Sequence, residues 1–502
     1  MQEAIRLIRE GRAEEALTVL DQIGSDDAAP RLHGYLKGVC LARLTRWHEA
    51  RSVLLSVQEH YTRDLGFTLF LADIAVNCHD PKAAEQLYKH TLSLGPAHIP
   101  GWAGLARLML KQRRWSDGLA LFGPPRWPWS PEPDIIWAAM VSAFILGRDH
   151  EAANLADRFA PDLAGERCAS PAAVVLGAIK GLLALVEGDG APLADAFAAR
   201  LGQDGQRHKS VTVLAAGGLA APPAAGPEPV TLVTSLAPHR LDVQRRAVAS
   251  WLRPGIRVLS VNTAVEAAFL KPLFPEIEFL VSQSDSGSDF GRPLAPIDDL
   301  LAALRASGSP TTGILNSDII LEETDRPLCD LLRSDFEGMR LAHRVDEDGG
   351  HRMIYGSGYD LIMFPANLIP TLQGSGLWLG MTWWDYWLPL RLLVDGIPLA
   401  MIEPTPAVHA YHLPAWRQEH FSASSVTALR SLLPALERGT TPLALGLLPV
   451  VRVLVADADA RGPHCQAFVQ VADMVWALIM RASLGSDIER AENHAKRTNP
   501  EH

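Results

Sequence analysis

The chain has 502 residues, of which 48% are hydrophobic and 21% are charged, and it carries a net charge of -11 at pH 7. This length exceeds what one hydrophobic core supports, so at least two folded domains are expected. The acidic balance offers no cluster of Lys and Arg, which excludes nucleic acid as an expected partner.

Cysteine usage and apolar runs indicate the compartment. The five cysteines are far apart and show no CxxC spacing, which predicts neither a disulfide framework nor a zinc site. The opening segment MQEAIRLIREGRAEEA lacks the apolar core of a secretory signal. The longest apolar run near the C-terminus, Leu443 to Val451, is too short to span a bilayer. We therefore expect a cytoplasmic protein without a transmembrane segment.

The first half of the chain repeats. A small residue recurs every 34 residues, at Ala16, Ala50, Ala84, Gly118 and Ala152. Each follows a polar turn and lies near the start of an amphipathic helix. A period of 34 residues is that of the TPR, a helix pair whose stacked copies form a solenoid with a concave groove. This predicts a TPR-like helical domain over residues 1–205, whose groove holds a polypeptide or a partner protein.

Small residues also stand twelve positions before three of these anchors, at Gly38, Ala72 and Ala106, where the paired helices are expected to cross closely. The alternative is a generic helical bundle in an Ala-rich sequence, and some solenoids only space or dimerise domains. Beyond the repeats, a stretch rich in Ala, Pro and Gly predicts a linker over residues 206–229.

From Val230 the pattern changes to short apolar runs separated by helical stretches, which predicts an α/β sheet. Open sheets of this class bind ligands beyond the carboxyl ends of their strands. Neither a GxGxxG turn nor a Walker A sequence is present, which excludes Rossmann dehydrogenases and ordinary phosphate-loop NTPases. Periodic apolar stretches then predict a helical extension over residues 422–502.

Four motifs occur in order: GILNSDIIL, GSGYDLIMFP, WWDYWLPL and IEPTPAVHAYH. Together they resemble the GT-A glycosyltransferases, which have a nucleotide-diphospho-sugar transferase fold, over residues 230–421. The resemblance implies an enzyme that transfers a sugar from a nucleotide-diphosphate donor to a protein or glycan acceptor. The expected fold class is α + α/β: a TPR-like α-solenoid, a GT-A-like α/β domain and C-terminal helices.

The segment Asn316-Ser317-Asp318 takes the place of the DxD motif of that family. There, carboxylate oxygen holds a divalent cation, Mn²⁺ or Mg²⁺, that neutralises the leaving diphosphate. Asn316 replaces the first acid and leaves one charge fewer. The resemblance implies a late histidine ligand, His409 or His412, and imidazole favours Mn²⁺. Alternatively, Asp318 is a turn carboxylate and each histidine is an ordinary structural residue.

Asp385 stands among tryptophans, where desolvation raises the pKa of a carboxyl group and suits it to general-base work. It occupies the place of the carboxylate that activates the acceptor in inverting GT-A enzymes. Its alternatives are a helix N-cap and a contact to the acceptor sugar. Trp383 and Trp384 are candidates for stacking on a sugar, or for the core. Asp360 is expected to orient donor or acceptor hydroxyls.

The predicted donor-binding residues follow strand ends or lie in turns: Ser235, Arg240, Asn262, Arg292, Asn316 and Ser317. The resemblance implies that the first three contact the base and ribose, although Arg240 is alternatively a surface charge. Arg292, in a Gly-Arg-Pro turn, is expected to bind the diphosphate bidentately.

Two other functions compete with glycosyl transfer. Asn316 in place of an acid motivates a non-catalytic TPR adaptor with a degenerate GT-A-like domain. A sugar nucleotidyltransferase would use a similar sheet but release pyrophosphate.

Overall fold

The computed structural model describes the chain except for residues 24–29, 123–132, 149, 153, 156–228, 283, 285–292, 334–335, 349, 413–415, 463–464 and 485–502. The described residues form two compact units. The first contains the described parts of Met1–Ala139 and Asp346–Met353, and the second contains those of Met140–Val345 and Ile354–Arg497. The predicted boundary at residue 205 and most of the predicted linker lie outside the described residues, so both stay predictions.

The N-terminal region is helical, as predicted. Successive helices pack on one another, α1 on α2, α3 on α4, α5 on α6 and α7 on α8. The helices are α1 (Gln2–Arg9), α2 (Ala13–Ile23), α3 (Pro30–Arg43), α4 (Trp47–Val57), α5 (Leu65–Asn77), α6 (Pro81–Leu94), α7 (Ile99–Lys111), α8 (Trp115–Phe122) and α9 (Pro133–Ile145).

The backbone repeats with the predicted period of 34 residues. A residue with left-handed backbone, φ between +54° and +79°, recurs at Gly11, Thr45, His79, Arg113 and Gly147. The first four lie in the turns that join the two helices of a pair, and the fifth follows α9. Each turn reverses the chain so that the second helix packs on the first. The N-terminal region is therefore an array of helical hairpins.

The small anchor residues are where the hairpins need them. Ala16, Ala50, Ala84 and Ala152 are fully buried. At Gly38 an added Cβ would lie 2.6 Å from the side chain of Leu54, so α3 and α4 approach closely and a larger residue would require Leu54 to move. The predicted close crossing is confirmed in this pair.

The second unit contains the predicted sheet. Its strands, with those of a smaller sheet, are β1 (Val230–Thr234), β2 (Ile256–Asn262), β3 (Glu278–Val281), β4 (Thr311–Leu315), β5 (Ile319–Leu321), β6 (Met339–Ala342), β7 (Arg344–Asp348), β8 (His351–Tyr355), β9 (Leu361–Pro365), β10 (Leu399–Met401) and β11 (Ala407–Ala410). The larger sheet has the order β10-β6-β9-β4-β1-β2-β3, and the smaller one β5-β11-β7-β8.

The larger sheet is mostly parallel. β1 pairs in parallel with β2 and β4, whereas β9 runs antiparallel to both of its neighbours, β4 and β6. β1 is buried along its whole length, as expected for a strand covered on both faces. From β1 the chain adds β2 and β3 on one side and later β4 on the other, so the strand order reverses between β1 and β4. Such a switch point opens a ligand crevice at the carboxyl ends of the strands.

Helices of the second unit are α10 (Leu241–Trp251), α11 (Ala264–Leu270), α12 (Ile297–Ser307), α13 (Leu328–Leu332), α14 (Trp384–Val394), α15 (Gln418–Arg438), α16 (Pro442–Arg461) and α17 (Cys465–Leu484). The last three form the predicted C-terminal helices, and α17 packs on α14 and β10. Among the described helices, none combines the length and the apolar character needed to cross a membrane.

Candidate functional site

The motif GILNSDIIL is divided between two strands at its polar centre. β4 ends at Leu315, β5 begins at Ile319, and the three residues between them form a turn. β5 leaves the larger sheet and pairs antiparallel with β11, in a register that sets His409 opposite Ile319. Asp318 therefore lies beside the end of β11, and the chain leaving that strand brings His412 to the same place.

Asp318, His409 and His412 converge there. Oδ2 of Asp318 lies 2.9 Å from Nε2 of His412 and 3.5 Å from Nε2 of His409. The two imidazole centroids are 4.8 Å apart. His409 is buried, whereas Asp318 and His412 are partly exposed. The cluster therefore has a closed side formed by the protein and an open side.

The donor atoms of these three residues all lie within 4.8 Å of one another, and no other such group occurs in the described part of the chain. Burial alone raises the pKa of Asp318, but hydrogen bonds and charge from His409 and His412 outweigh burial and hold that pKa far below its usual value. One carboxylate oxygen and two imidazole nitrogens suit Mn²⁺, with coordination positions left for ligand oxygens. The residues present fit the predicted divalent cation.

Asn316 and Asp360 form a pair beside this cluster. Nδ2 of Asn316 donates to Oδ1 of Asp360, and the backbone N of Asn316 donates to the carbonyl oxygen of Asp360 at 3.1 Å. Nη1 of Arg344 donates to Oδ2 of Asp360 at 2.9 Å. Asp360 is 5% exposed. Its carboxylate therefore accepts hydrogen bonds from two protein donors, and its contact to substrate hydroxyls stays a prediction.

Asp385 is the second residue of α14, whose N-cap is Trp383 with φ of +75°. The alternative that Asp385 caps this helix is therefore wrong. Oδ2 of Asp385 accepts a hydrogen bond from the backbone N of Tyr359 at 3.1 Å. Burial, reinforced by the nearby charge of Asp360, raises the pKa of Asp385 to about 7. A carboxyl group with this pKa exchanges protons near neutral pH.

The two predicted stacking residues are in the core. Trp383 is 1% exposed and Trp384 is 2% exposed. The ring of Trp383 lies 5.7 Å from that of Tyr386 and 5.9 Å from that of Phe421, centroid to centroid. Neither ring presents an open face to a sugar, so their burial favours the core alternative.

Asn262 is buried and makes hydrogen bonds to other groups of the protein. It is 1% exposed, and its Nδ2 donates to the carbonyl oxygen of Leu236 at 2.8 Å and to Oγ of Ser235 at 3.3 Å. Its Oδ1 accepts from Ser260 Oγ at 2.7 Å. Asn262 thus shapes the turn after β1, and Ser235 is the more accessible of the two, being partly exposed.

The other predicted donor residues are dispersed. Ser317 Oγ accepts from Nε2 of Gln244 at 3.3 Å, which ties the turn after β4 to α10. Arg240 is exposed and precedes α10, with φ of +52°, and no described contact links it to Asp318. Arg292 lies outside the described residues.

Two contributors to this region are absent from the predicted site. Arg344 ends a predicted apolar run, and polar residues at such ends are the ones that approach a ligand crevice, so a signal existed for it. Gln244 is one of several polar residues on α10. Nothing in its sequence neighbourhood distinguishes it.

No family model matches the sequence, and no curated protein matches it. A solved structure with similarity to the chain is that of a tetratricopeptide repeat protein from Parabacteroides merdae. It aligns with a TM-score of 0.32 and 12% identity, over 39% of this chain and 76% of that chain. At this TM-score the similarity adds nothing to the helical array described above.

Proposed function

We propose that this chain is a metal-dependent glycosyltransferase with a GT-A-like domain, which transfers a sugar from a nucleotide-diphosphate donor to a protein or glycan acceptor. The observation that carries the proposal is the cluster of Asp318, His409 and His412. Its carboxylate, Asp318, lies in the turn after β4, a strand beside the switch point of a mostly parallel sheet, and ligands of such sheets bind at the carboxyl ends of these strands.

The cluster supports binding of a diphosphate through a cation. Asp318 would supply the carboxylate oxygen, and His409 and His412 would supply imidazole nitrogens. A bound Mn²⁺ or Mg²⁺ would offset the charge that develops on the diphosphate as the sugar leaves. Asn316 stands in place of an acid, but the two histidines add neutral ligands. The site would therefore still offer three protein ligands to the cation.

Asp385 supports a transfer reaction over binding alone. A general base works best when its pKa is close to the pH at which the enzyme operates. The pKa of about 7 would let Asp385 take the proton of an acceptor hydroxyl and release it after transfer. A structural carboxylate in an adaptor has no need of such a pKa.

The helical hairpins would recruit the acceptor polypeptide or a partner protein in the cytoplasm. Their stacking in a 34-residue period supports a TPR-like array, since each such hairpin buries its apolar face only against its neighbours.

A thermal-shift panel followed by donor hydrolysis tests the proposal. We expect one of UDP, GDP, ADP, CDP and dTDP to stabilise the protein with Mn²⁺ present but not with EDTA, because a ligand that binds only the folded state raises its stability. The matching sugar nucleotide should then yield nucleoside diphosphate. Release of pyrophosphate would indicate a nucleotidyltransferase, and binding without turnover would indicate an adaptor. The panel also includes Fe²⁺, which sites of two histidines and one carboxylate hold in oxygenases.

A further inference from the structure

Residues 357–360, which we call the SGYD segment, run between the turn of residues 316–318 and the start of α14. Its last residue, Asp360, contacts Asn316, and the residue before it, Tyr359, contacts Asp385. Asn316 and Asp385 are 69 positions apart in sequence. The SGYD segment thus contacts both the turn that contains Asp318 and the candidate base.

The Asp360 end is held by strand pairing and by its carboxylate. β4 and β9 pair antiparallel with Leu315 opposite Leu361, which puts Asn316 opposite Asp360. Nδ2 of Asn316 donates to Oδ1 of Asp360, and Nη1 of Arg344 donates to Oδ2 at 2.9 Å. The Arg344 guanidinium lies 4.2 Å from the ring centroid of Tyr355. Stacking and ion pairing together hold Arg344 in one orientation.

The other end of the segment packs on the first turn of α14. The backbone N of Tyr359 donates to Oδ2 of Asp385 at 3.1 Å. A Cβ added to Gly358 would lie 3.0 Å from the same oxygen, so glycine permits the close approach. The hydroxyl of Tyr386 donates to the carbonyl oxygen of Ser357. The carboxylate of Asp385 therefore rests on the backbone of the segment.

We propose that Arg344, Asp360 and Asn316 form a positioning chain. This chain fixes the turn of residues 316–318, which contains the candidate metal ligand Asp318, relative to Asp385. This inference rests on the proposed function and assigns to Asp360 a role through Asn316, not a contact to the sugar. It also explains Asn316: an acid there would set a second carboxylate against that of buried Asp360, whereas an amide donates to it.

Electrostatics support the same arrangement. After burial, the charge of Asp360 is the next contribution that raises the pKa of Asp385, and the charge of Arg344 acts in the opposite direction. Two charged residues of the positioning chain, Asp360 and Arg344, therefore act on the pKa of the candidate base.

The substitution Asn316→Asp tests the chain, because it creates the two-acid DxD spacing of the resembled family. If added charge were all that mattered, it would strengthen Mn²⁺ binding. We expect instead that Mn²⁺ affinity, measured by calorimetry on the full chain, falls about 10- to 100-fold, as for other residues that support metal ligands. The double variant Asn316→Asp with Asp360→Asn restores an amide–carboxylate pair and should recover most of that loss. Equal or tighter Mn²⁺ binding by Asn316→Asp, or a double variant no better than the single ones, overturns the chain.

Urea unfolding of the wild type, Asn316→Asp, Asp360→Asn and the double variant, without metal or nucleotide, separates this inference from the proposed function. The two positions should be coupled, so that the double variant is more stable than the sum of the single effects predicts. Additive effects would contradict the pairing whatever the protein binds. A different result would be coupling between the two positions together with a wild-type protein that binds neither Mn²⁺ nor a nucleoside diphosphate. That result would overturn the proposed function and leave the pairing of Asn316 with Asp360 standing.

Discussion

Asp385 shows how an environment changes the chemistry of one residue. Desolvation by burial and the charge of a second carboxylate nearby, that of Asp360, bring its pKa to about 7. We expect Asp385→Asn to retain Mn²⁺-dependent affinity for the nucleoside diphosphate while transfer falls on the order of 10²-fold or more, because the amide cannot accept the acceptor proton. Turnover and nucleotide affinity are measured on the same preparation. Normal turnover in a folded Asp385→Asn protein removes Asp385 from the mechanism.

The same pKa makes stability depend on pH. In the folded state Asp385 binds its proton more tightly than in the unfolded chain, where the pKa is near 3.8. Its contribution is therefore fully favourable below pH 3.8 and is lost as the pH rises to about 7. Relative to Asp385→Asn, which does not titrate, the wild type should lose free energy of unfolding between these values. Urea unfolding at pH 5 and pH 8 measures the difference, and a difference that does not change with pH would contradict the raised pKa.

The two histidines should respond differently to substitution. His412 is partly exposed, so His412→Ala should lower Mn²⁺ affinity while the melting temperature stays close to that of the wild type. His409 is buried on β11, so His409→Ala should lower both. Calorimetry with Mn²⁺ and thermal melting measure these effects, with His239→Ala, an exposed histidine of the same unit, as the control. Unchanged Mn²⁺ affinity in His412→Ala would exclude this residue as a ligand.

The motifs predicted that Asp318 is joined by one late histidine, His409 or His412, and the structure brings both histidines to it. The pairing of Asn316 with Asp360 was beyond prediction. These residues are 44 positions apart, and their contact depends on the register of two strands that no local pattern encodes. The burial of Trp383 was equally hidden, since aromatic residues serve both sugar sites and cores.

Among the elements, the strands of the larger sheet were predictable because strands covered on both faces are continuous apolar runs. Whether a strand runs parallel or antiparallel to its neighbours was not predictable, since an apolar run has the same pattern in both directions. The antiparallel placement of β9 is what brings Asp360 beside Asn316. The separate strand β5 was not predicted, because three polar residues inside an apolar run are consistent with one strand or with two.

The recurring left-handed turn gives a prediction for the helical hairpins. At Gly11, with φ of +79°, an added Cβ meets no atom within 4 Å. The only expected cost of a substitution there is therefore that of holding a residue with a Cβ in left-handed backbone. Gly11→Ala should lower the free energy of unfolding by about 1 kcal/mol, because left-handed backbone is costly for any residue with a Cβ. Thr45→Gly, at the equivalent turn of the next hairpin, is the control and should not destabilise. Urea unfolding compares them, and an unaffected Gly11→Ala protein would contradict strain at this turn.

At the scale of the whole molecule, composition separates the helical repeats from the sheet. The stretch from Ala215 to Pro229 is rich in Ala, Pro and Gly and is expected to be the accessible connection. Limited proteolysis of the full chain should first cut there and leave two resistant fragments, identified by mass spectrometry. Protection of this stretch together with an early cut inside residues 230–421 would contradict the predicted domain boundaries.

We propose that Asp318, with His409 and His412, holds a divalent cation that binds a nucleoside diphosphate. Calorimetric titration of wild type, Asp318→Ala and the control Asp325→Ala with the best nucleoside diphosphate, in Mn²⁺ and in EDTA, tests it most directly. Asp325 is an exposed carboxylate of the same unit. We predict Mn²⁺-dependent binding in wild type and in Asp325→Ala, and none in a folded Asp318→Ala protein, which has lost its oxygen ligand. Equal Mn²⁺-dependent affinity in all three proteins would contradict the claim.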